Sequence, residues 1–163
     1  MRTSIGTQLK GARGGYMLLE LIIGIAVVVI LASITALSLS RFSETQALNN
    51  GVDEVVALIN QARSRTVAAE GGTYYGVHLE ERQAVLFSGP TYSVGAVGNQ
   101  PVPLDVRVKI DVITLSGGGD DIVFEEGMGD TTGYGTFVIK RLTSTLGQKT
   151  VTVSRAGAVS SSR

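Results

Sequence analysis

Residues 15–40 read GYMLLELIIGIAVVVILASITALSLS, and the twenty positions from Leu21 to Ser40 carry no charged side chain. As a helix, twenty residues rise about 30 Å, which matches the hydrocarbon thickness of a bilayer. A core helix of a small domain is rarely apolar on every side, and a cleavable secretory signal has a shorter apolar region of about 7–15 residues. The run therefore predicts a helix that spans a membrane.

Charge is distributed unevenly along the 163-residue chain, although its formal sum is zero. Residues 1–15 contain three basic groups and no acidic group, whereas residues 41–130 contain six basic and thirteen acidic groups. Residues 131–163 contain five basic groups and no acidic group. Because basic residues mark the cytoplasmic side of a spanning helix, we expect the amino end to stay in the cytoplasm and the remainder to be exported.

Glu20 is a carboxylate placed directly before the uncharged run. A charged group near hydrocarbon is costly, so a residue of this kind normally has a partner or a function. Its position leaves two interpretations open. The side chain could reach the headgroup region of the bilayer, or it could pair with a group on another molecule.

The residues around Glu20 resemble the processing site of type IV prepilins. In GYMLLE, residues 15–20, a glycine precedes an aromatic residue, apolar residues and a glutamate at the fifth mature position, with Tyr16 where the family usually has Phe. The resemblance implies that a prepilin peptidase cuts between Gly15 and Tyr16 and methylates the new amino terminus at Tyr16. It also implies that Glu20 pairs with the terminal amine of a neighbouring subunit during assembly.

Helical periodicity continues beyond the apolar run. Apolar residues recur at spacings of three and four, which one face of a helix requires; they are Leu48, Val52, Val55, Val56, Ile59, Ala62 and Val67. Gly71 and Gly72 then end the pattern. The sequence predicts one helix from residue 16 to residue 69, apolar all round in its first half and amphipathic in its second.

The rest of the chain is predicted to form strands and loops. Alternating or β-branched segments predict strands at 73–79, 84–88, 106–115, 122–124, 137–142 and 150–153, with the first two and the last two forming hairpins. Residues 89–104 hold three Pro and three Gly, and residues 127–135 hold four Gly, so both are predicted to be loops. We expect an α+β, pilin-like fold in which the long N-terminal helix packs on an antiparallel β-sheet head.

The predicted organisation has four segments. They are a leader peptide at 1–15, a transmembrane and filament-core half of the helix at 16–40, an amphipathic half at 41–70 and a β-rich globular head at 71–163. The helix, the hairpin-like segments, the Gly-rich loop and the stretch SRAG at 154–157 also resemble H-type minor pseudopilins of type II secretion and related minor type IV pilins.

This resemblance implies a structural minor pilin or pseudopilin, built into a type IV pilus-like filament. The first alternative is a minor pseudopilin of the type II secretion system, and the second is a DNA-binding minor pilin in DNA uptake. The implied partners are a prepilin peptidase, other pilins or pseudopilins and membrane lipid. The implied location is the inner membrane, in a single pass with the head outside the cytoplasm, and later a pilus or pseudopilus.

Signals of catalysis or ligand binding are weak in this sequence. His78, the one histidine, falls in a strand-like segment and is predicted to be a surface residue. The sequence contains no nucleophile-elbow, HExxH or Walker A pattern. The carboxylates between residues 120 and 130 lack EF-hand spacing and are predicted to form a solvated loop. We therefore expect no enzymatic activity, metal, cofactor or small-molecule substrate.

Four basic residues near the carboxyl end are candidates for contact with another macromolecule: Lys140, Arg141, Lys149 and Arg155. Clustered cations bind the phosphates of DNA, but a basic block and an acidic block on one head equally suit docking between subunits. We favour docking, because the acidic block would repel a polyanion.

Overall fold

The computed structural model describes residues 14–142 and 147–162, with the side chains of 14–15 and 34–41 left out. Of the predicted leader 1–15, residues 1–13 lie outside this description. The chain divides into an N-terminal unit, Met1–Arg41, and a C-terminal unit, Phe42–Arg163. Each unit is described below by itself.

One helix, α1 (Gly14–Val67), accounts for the apolar run and the amphipathic segment after it. Its bounds differ by two residues at each end from the predicted 16–69. After α1 the backbone turns through left-handed conformations at Ala69, Gly71 and Gly72, with φ values of 50°, 68° and 63°. Glycine adopts such values without the steric cost that a side chain brings, so Gly71 and Gly72 continue the turn that Ala69 begins two residues after the end of α1.

The amphipathic face of α1 is buried in the C-terminal unit. Most of the predicted face lies in the core, and it comprises Leu48, Val52, Val55, Ile59 and Ala62, with Val56 partly buried. Val67 is the exception and is 45% exposed. It is the last residue of α1, where the chain already turns away from the core, so the periodicity extended the buried face one turn too far.

The described residues form eight strands, arranged in two four-stranded antiparallel sheets. The first sheet has the order β3 (Gln100–Pro103), β2 (Gln83–Ser88), β1 (Tyr75–Leu79), β5 (Asp121–Val123). The second has the order β4 (Val108–Leu115), β6 (Gly135–Arg141), β7 (Gln148–Val153), β8 (Val159–Ser161). The predicted antiparallel β-rich head is confirmed, and its described residues form two sheets with eight strands where the sequence predicted about six.

The two strands that the sequence did not predict both lie at sheet edges. β3 falls within the predicted loop 89–104, where Pro101 and Pro103 pair with Val85 and Gln83. Proline has no N–H to donate to a further strand, so it is tolerated at the edge of a sheet. Because proline is otherwise rare in strands, its presence led to the prediction of a loop. β8 is three residues long and pairs only with β7 among the described strands.

A single hydrophobic core joins α1 to both sheets within the C-terminal unit. Its largest fully buried side chains include Phe124, the residue after β5, Phe137 of β6 and Ile59 of α1. Every described buried hydrophobic residue belongs to residues 42–163. The observed architecture is therefore α+β, as the sequence predicted.

Candidate functional site

The predicted processing site lies at the start of α1. Gly14 is the first helical residue, so Gly15 and Tyr16 are both in its first turn. Tyr16 and Glu20 are exposed and four residues apart, which places them on the same face of the helix. Met17, Glu20, Leu21 and Gly24 line a shallow groove on this helix surface. Glu20 is thus a carboxylate on an otherwise apolar helix surface.

The segment Tyr16–Ser33 is long and apolar enough to cross a membrane, and none of it is buried within the described structure. An exposed apolar surface of this extent is unusual for a soluble monomer and indicates contact with lipid or protein. In either environment the Glu20 carboxylate would need a cation or a hydrogen-bond donor from another molecule.

Two of the predicted basic residues, Lys140 and Arg141, lie on opposite faces of β6, because successive residues of a strand point to opposite sides. Lys140 Nζ lies 2.5 Å from Asp111 Oδ2 on β4. Arg141 shares the face of the buried Ile139, and its Nη1 lies 3.5 Å from Glu44 Oε2 on α1. Both cations are therefore matched by carboxylates of the same chain.

The other two basic residues do not complete a patch with these. Lys149 stands opposite Ile139 in the β6–β7 ladder, and it is partly buried. Arg155 is exposed in the turn after β7, where its backbone carbonyl accepts a hydrogen bond from Thr131 N at 2.9 Å. The structure does not bring the four residues onto one surface, and their contact with DNA or a partner subunit stays a prediction.

His78, which the sequence predicts to be a surface residue, is partly buried and contacts other side chains of the chain. Its Nδ1 lies 2.6 Å from Asp121 Oδ1, and its ring stacks on Tyr92 with centroids 4.0 Å apart. The Tyr92 hydroxyl donates a hydrogen bond to Glu80 Oε1 at 3.2 Å, and partial burial raises the pKa of Tyr92. This stack attaches the loop between β2 and β3 to the surface of the first sheet.

The acidic segment after β5 forms a turn with exposed carboxylates at Glu125 and Glu126. Glu125 N donates a backbone hydrogen bond to Asp130 O at 2.9 Å, which closes the turn. Among residues 14–142 and 147–162, no group of three or more acidic, histidine or cysteine side chains is arranged to hold a metal ion.

An arginine contact that the sequence did not predict holds the beginning of the amphipathic helix. Arg107 Nε and Nη2 donate to the two carboxylate oxygens of Asp105 at 2.8 and 2.7 Å, and Arg107 Nη1 donates to Ser43 Oγ. The side-chain hydrogen bond from Arg107, followed by that from its backbone N–H, lowers the pKa of Asp105 to about 2. In the sequence, the Asp-x-Arg spacing at residues 105–107 is the feature that could have indicated this ion pair.

The Asp105 carboxylate should therefore stabilise the fold only while it is ionised. Its pKa is lowered from 3.8 in the unfolded chain to about 2 in the folded one, so its contribution is present above 3.8 and is lost as pH falls towards 2. We expect Asp105→Asn to lower the urea midpoint at neutral pH and to lower it much less at the acid end of this window. Asp53→Asn, at an exposed position on α1, is the control. A deficit of Asp105→Asn that does not shrink in acid would contradict this assignment.

Two solved structures resemble this chain. The type IV minor pilin FimU of Pseudomonas aeruginosa superposes with a TM-score of 0.55 at 15% identity, over 71% of this chain and 93% of FimU. This is a pilin-like fold. The minor pseudopilin EpsH of the type 2 secretion system of Vibrio cholerae superposes with a TM-score of 0.53 at 12% identity, over 71% of this chain and 95% of EpsH.

The pilin-like fold confirms the fold class that the prepilin motif implied. No protein-family model matches the sequence, and no curated protein matches it. At 12–15% identity the likeness concerns the fold, which both neighbours share with this chain over nearly their whole length. The neighbours are structural subunits, a minor pilin and a minor pseudopilin, and not enzymes.

Proposed function

We propose that this chain is a structural subunit of a type IV pilus-like filament, anchored in the membrane by α1 before assembly. The observation that carries the proposal is the coincidence of two features. The fold is pilin-like, and an exposed apolar segment of α1, long enough to span a membrane, begins at Tyr16, directly after the glycine of the prepilin motif.

Processing between Gly15 and Tyr16 has a clear physical consequence. It removes the three basic residues of the leader and leaves one amine beside an apolar helix surface. Glu20 of an adjacent subunit then neutralises that amine, so that neither charge remains isolated in a medium of low dielectric constant. The membrane orientation that follows has the C-terminal unit outside the cytoplasm.

A minor pseudopilin of type II secretion is the second candidate, and the likeness to EpsH favours it. The TM-scores of 0.55 and 0.53 do not separate a pilus from a secretion system. Cross-linking in the native host separates them, because the subunit bound to this chain would be a pilus subunit in one case and a subunit of a secretion pseudopilus in the other.

Processing is tested by mass spectrometry of the protein from its host. The mature chain should begin at Tyr16 and carry one added methyl group, and Gly15→Ala should leave most of the protein uncut. Gly24→Ala is the matched control, since a Cβ added at Gly24 meets no atom within 4 Å. Assembled protein that retains Met1 would contradict the proposal.

A further inference from the structure

Two buried side chains of β2 lie outside the main hydrophobic core. Val85 is 2% exposed and Phe87 1%, but neither belongs to the core cluster that contains their neighbours Ala84 and Leu86. Successive residues of a strand point to opposite faces of the sheet. Val85 and Phe87 are therefore buried on the outer face of the first sheet, which points away from the main core.

The connection between β2 and β3 covers this outer face, and we call its residues 89–99 the strap. The ring of Tyr92 in the strap meets the ring of Phe87 at 62°, with centroids 5.6 Å apart. The cover is incomplete, because an open cavity of about 320 Å³ remains between strap and sheet; Val85, Tyr92 and Asn99 are among the residues that line it. The strap therefore makes fewer dispersion contacts than a closely packed layer would.

Tyr92 attaches the strap to the sheet. Its ring stacks on His78 with centroids 4.0 Å apart and an angle of 9° between the ring planes, and its hydroxyl donates a hydrogen bond to Glu80 at 3.2 Å. The imidazole of His78 is held in turn by Asp121, whose Oδ1 lies 2.6 Å from Nδ1. The attachment thus combines an aromatic stack with one hydrogen bond.

The other hydrogen bonds of the strap do not join it to the outer face. Gly89 N is bonded to the backbone just before β1, at 2.8 Å, where the strap leaves β2. The bonds donated by Ala96 N, Asn99 N and Asn99 Nδ2 all stay within the strap. Residues 83–104 contain no charged side chain, so no ion pair adds to the attachment. In the described part of the chain, hydrogen bonds and ring contacts with the outer face come from Tyr92 alone.

The two ends of the strap are suited to act as hinges. Gly89 and Gly98 have φ values of 111° and 103°, a region that glycine enters without a steric penalty. Hinges are short segments in which a few residues absorb the change in backbone angles. Beneath the strap, β2 is paired with β1 on one side and β3 on the other, and this pairing involves no residue of the strap. The strap can therefore move without breaking the ladders of the first sheet.

We propose that the strap is a hinged cover that leaves the outer face of the first sheet while both sheets stay folded. Tyr92 is the residue that closes the cover, and the ring of His78 is the surface on which it rests. In the open state Val85 and Phe87 form an apolar surface that the closed state hides. This inference concerns the C-terminal unit alone and depends neither on the membrane anchor nor on the filament.

Thiol labelling of the full-length chain in detergent micelles measures the opening. The chain has no cysteine, so Val85→Cys introduces a single thiol beneath the strap. Val77→Cys is the matched control, because Val77 is a fully buried valine of the same sheet that belongs to the main core. The thiol at residue 85 should react at least about tenfold faster than the thiol at residue 77, which is reached only by unfolding of the whole unit. Val97→Cys, at a fully exposed position of the strap, gives the rate of an unprotected thiol.

Variants of the two stacked residues test how the cover is closed. Tyr92→Ala removes the ring and should raise the reaction rate at residue 85 by a further factor of about ten, with no change at residue 77. His78→Ala removes the surface beneath the ring and should act in the same direction. Val94→Ala is the control, since Val94 is an exposed residue of the same strap, and it should leave both rates unchanged.

Two results of the labelling would overturn the proposal. Equal rates at residues 85 and 77 would show that Val85 becomes accessible only when the whole unit unfolds. Equal acceleration at both residues by Tyr92→Ala would show that the tyrosine stabilises the entire fold rather than the closed position of the strap. Circular dichroism of each cysteine variant establishes beforehand that it is folded.

Proteolysis of the cysteine-free chain gives a second test, which applies even if Val85→Cys does not fold. Chymotrypsin prefers to cut after aromatic residues, so it should cut after Tyr92 before it cuts after Phe137, which is fully buried in the main core. His78→Ala should increase the cut after Tyr92 alone. Equal rates of the two cuts, or an equal increase of both in His78→Ala, would contradict a strap that opens by itself.

Discussion

Ile59→Ala should lower the free energy of unfolding of the C-terminal unit by about 2–5 kcal/mol, the range observed for removal of a buried isoleucine side chain. Ile59 is fully buried on α1, in the core that the helix forms with both sheets. The alanine leaves a cavity that a closely packed interior fills only in part. Urea unfolding of a fragment comprising residues 42–163 measures the change, since this fragment contains the whole described core.

Val67→Ala is the matched control for Ile59→Ala. Val67 is on the same helix but 45% exposed, so its truncation should change the free energy of unfolding by no more than about 0.5 kcal/mol. Equal losses in the two variants would mean that the helix is not packed on the sheets as described.

Glu20→Gln should leave membrane insertion intact and strongly reduce incorporation into filaments. Removing the charge makes the spanning segment more apolar, so insertion does not suffer. In the filament, the terminal amine of the neighbouring subunit would lose its partner, and an unpaired buried charge costs about 3–5 kcal/mol. Incorporation, measured as the share of the protein in sheared filaments, should therefore fall by at least about tenfold.

Glu54→Gln provides the control for Glu20→Gln, because Glu54 is an exposed carboxylate on the part of α1 that belongs to the C-terminal unit. It should be incorporated normally. If Glu20→Gln is incorporated as well as Glu54→Gln, the remaining interpretation of Glu20 is that its side chain reaches the headgroup region.

Features that depend on local sequence were predicted well. The periodicity of apolar residues placed α1 to within two residues at each end, and the double glycine marked its termination. The first hairpin was predicted correctly because residues 80–82 form a short polar connection between two strand-like segments, and the structure pairs Leu79 with Ala84 across it. Such signals lie within a few neighbouring residues and need no knowledge of the fold.

Features that depend on contacts between distant residues were not predicted. The separation into two sheets follows from β1 pairing with β5, where Gly76 stands opposite Val123. The partners of the basic residues were likewise not predicted. Strand alternation alone separates Lys140 from Arg141, but register decides that Lys140 meets Asp111 and that Arg141 meets Glu44.

The placement of β5 has a consequence for how the C-terminal unit gains and loses its structure. In the chain β5 lies between β4 and β6, which pair with each other in the second sheet, yet β5 itself completes the first. The loop that closes the β4–β6 pairing therefore contains a strand of the opposite sheet. The pairing of β4 with β6 and the pairing of β5 with β1 are thus coupled through one loop, which favours all-or-none cooperativity and limits the lifetime of half-formed species with unpaired edges open to aggregation.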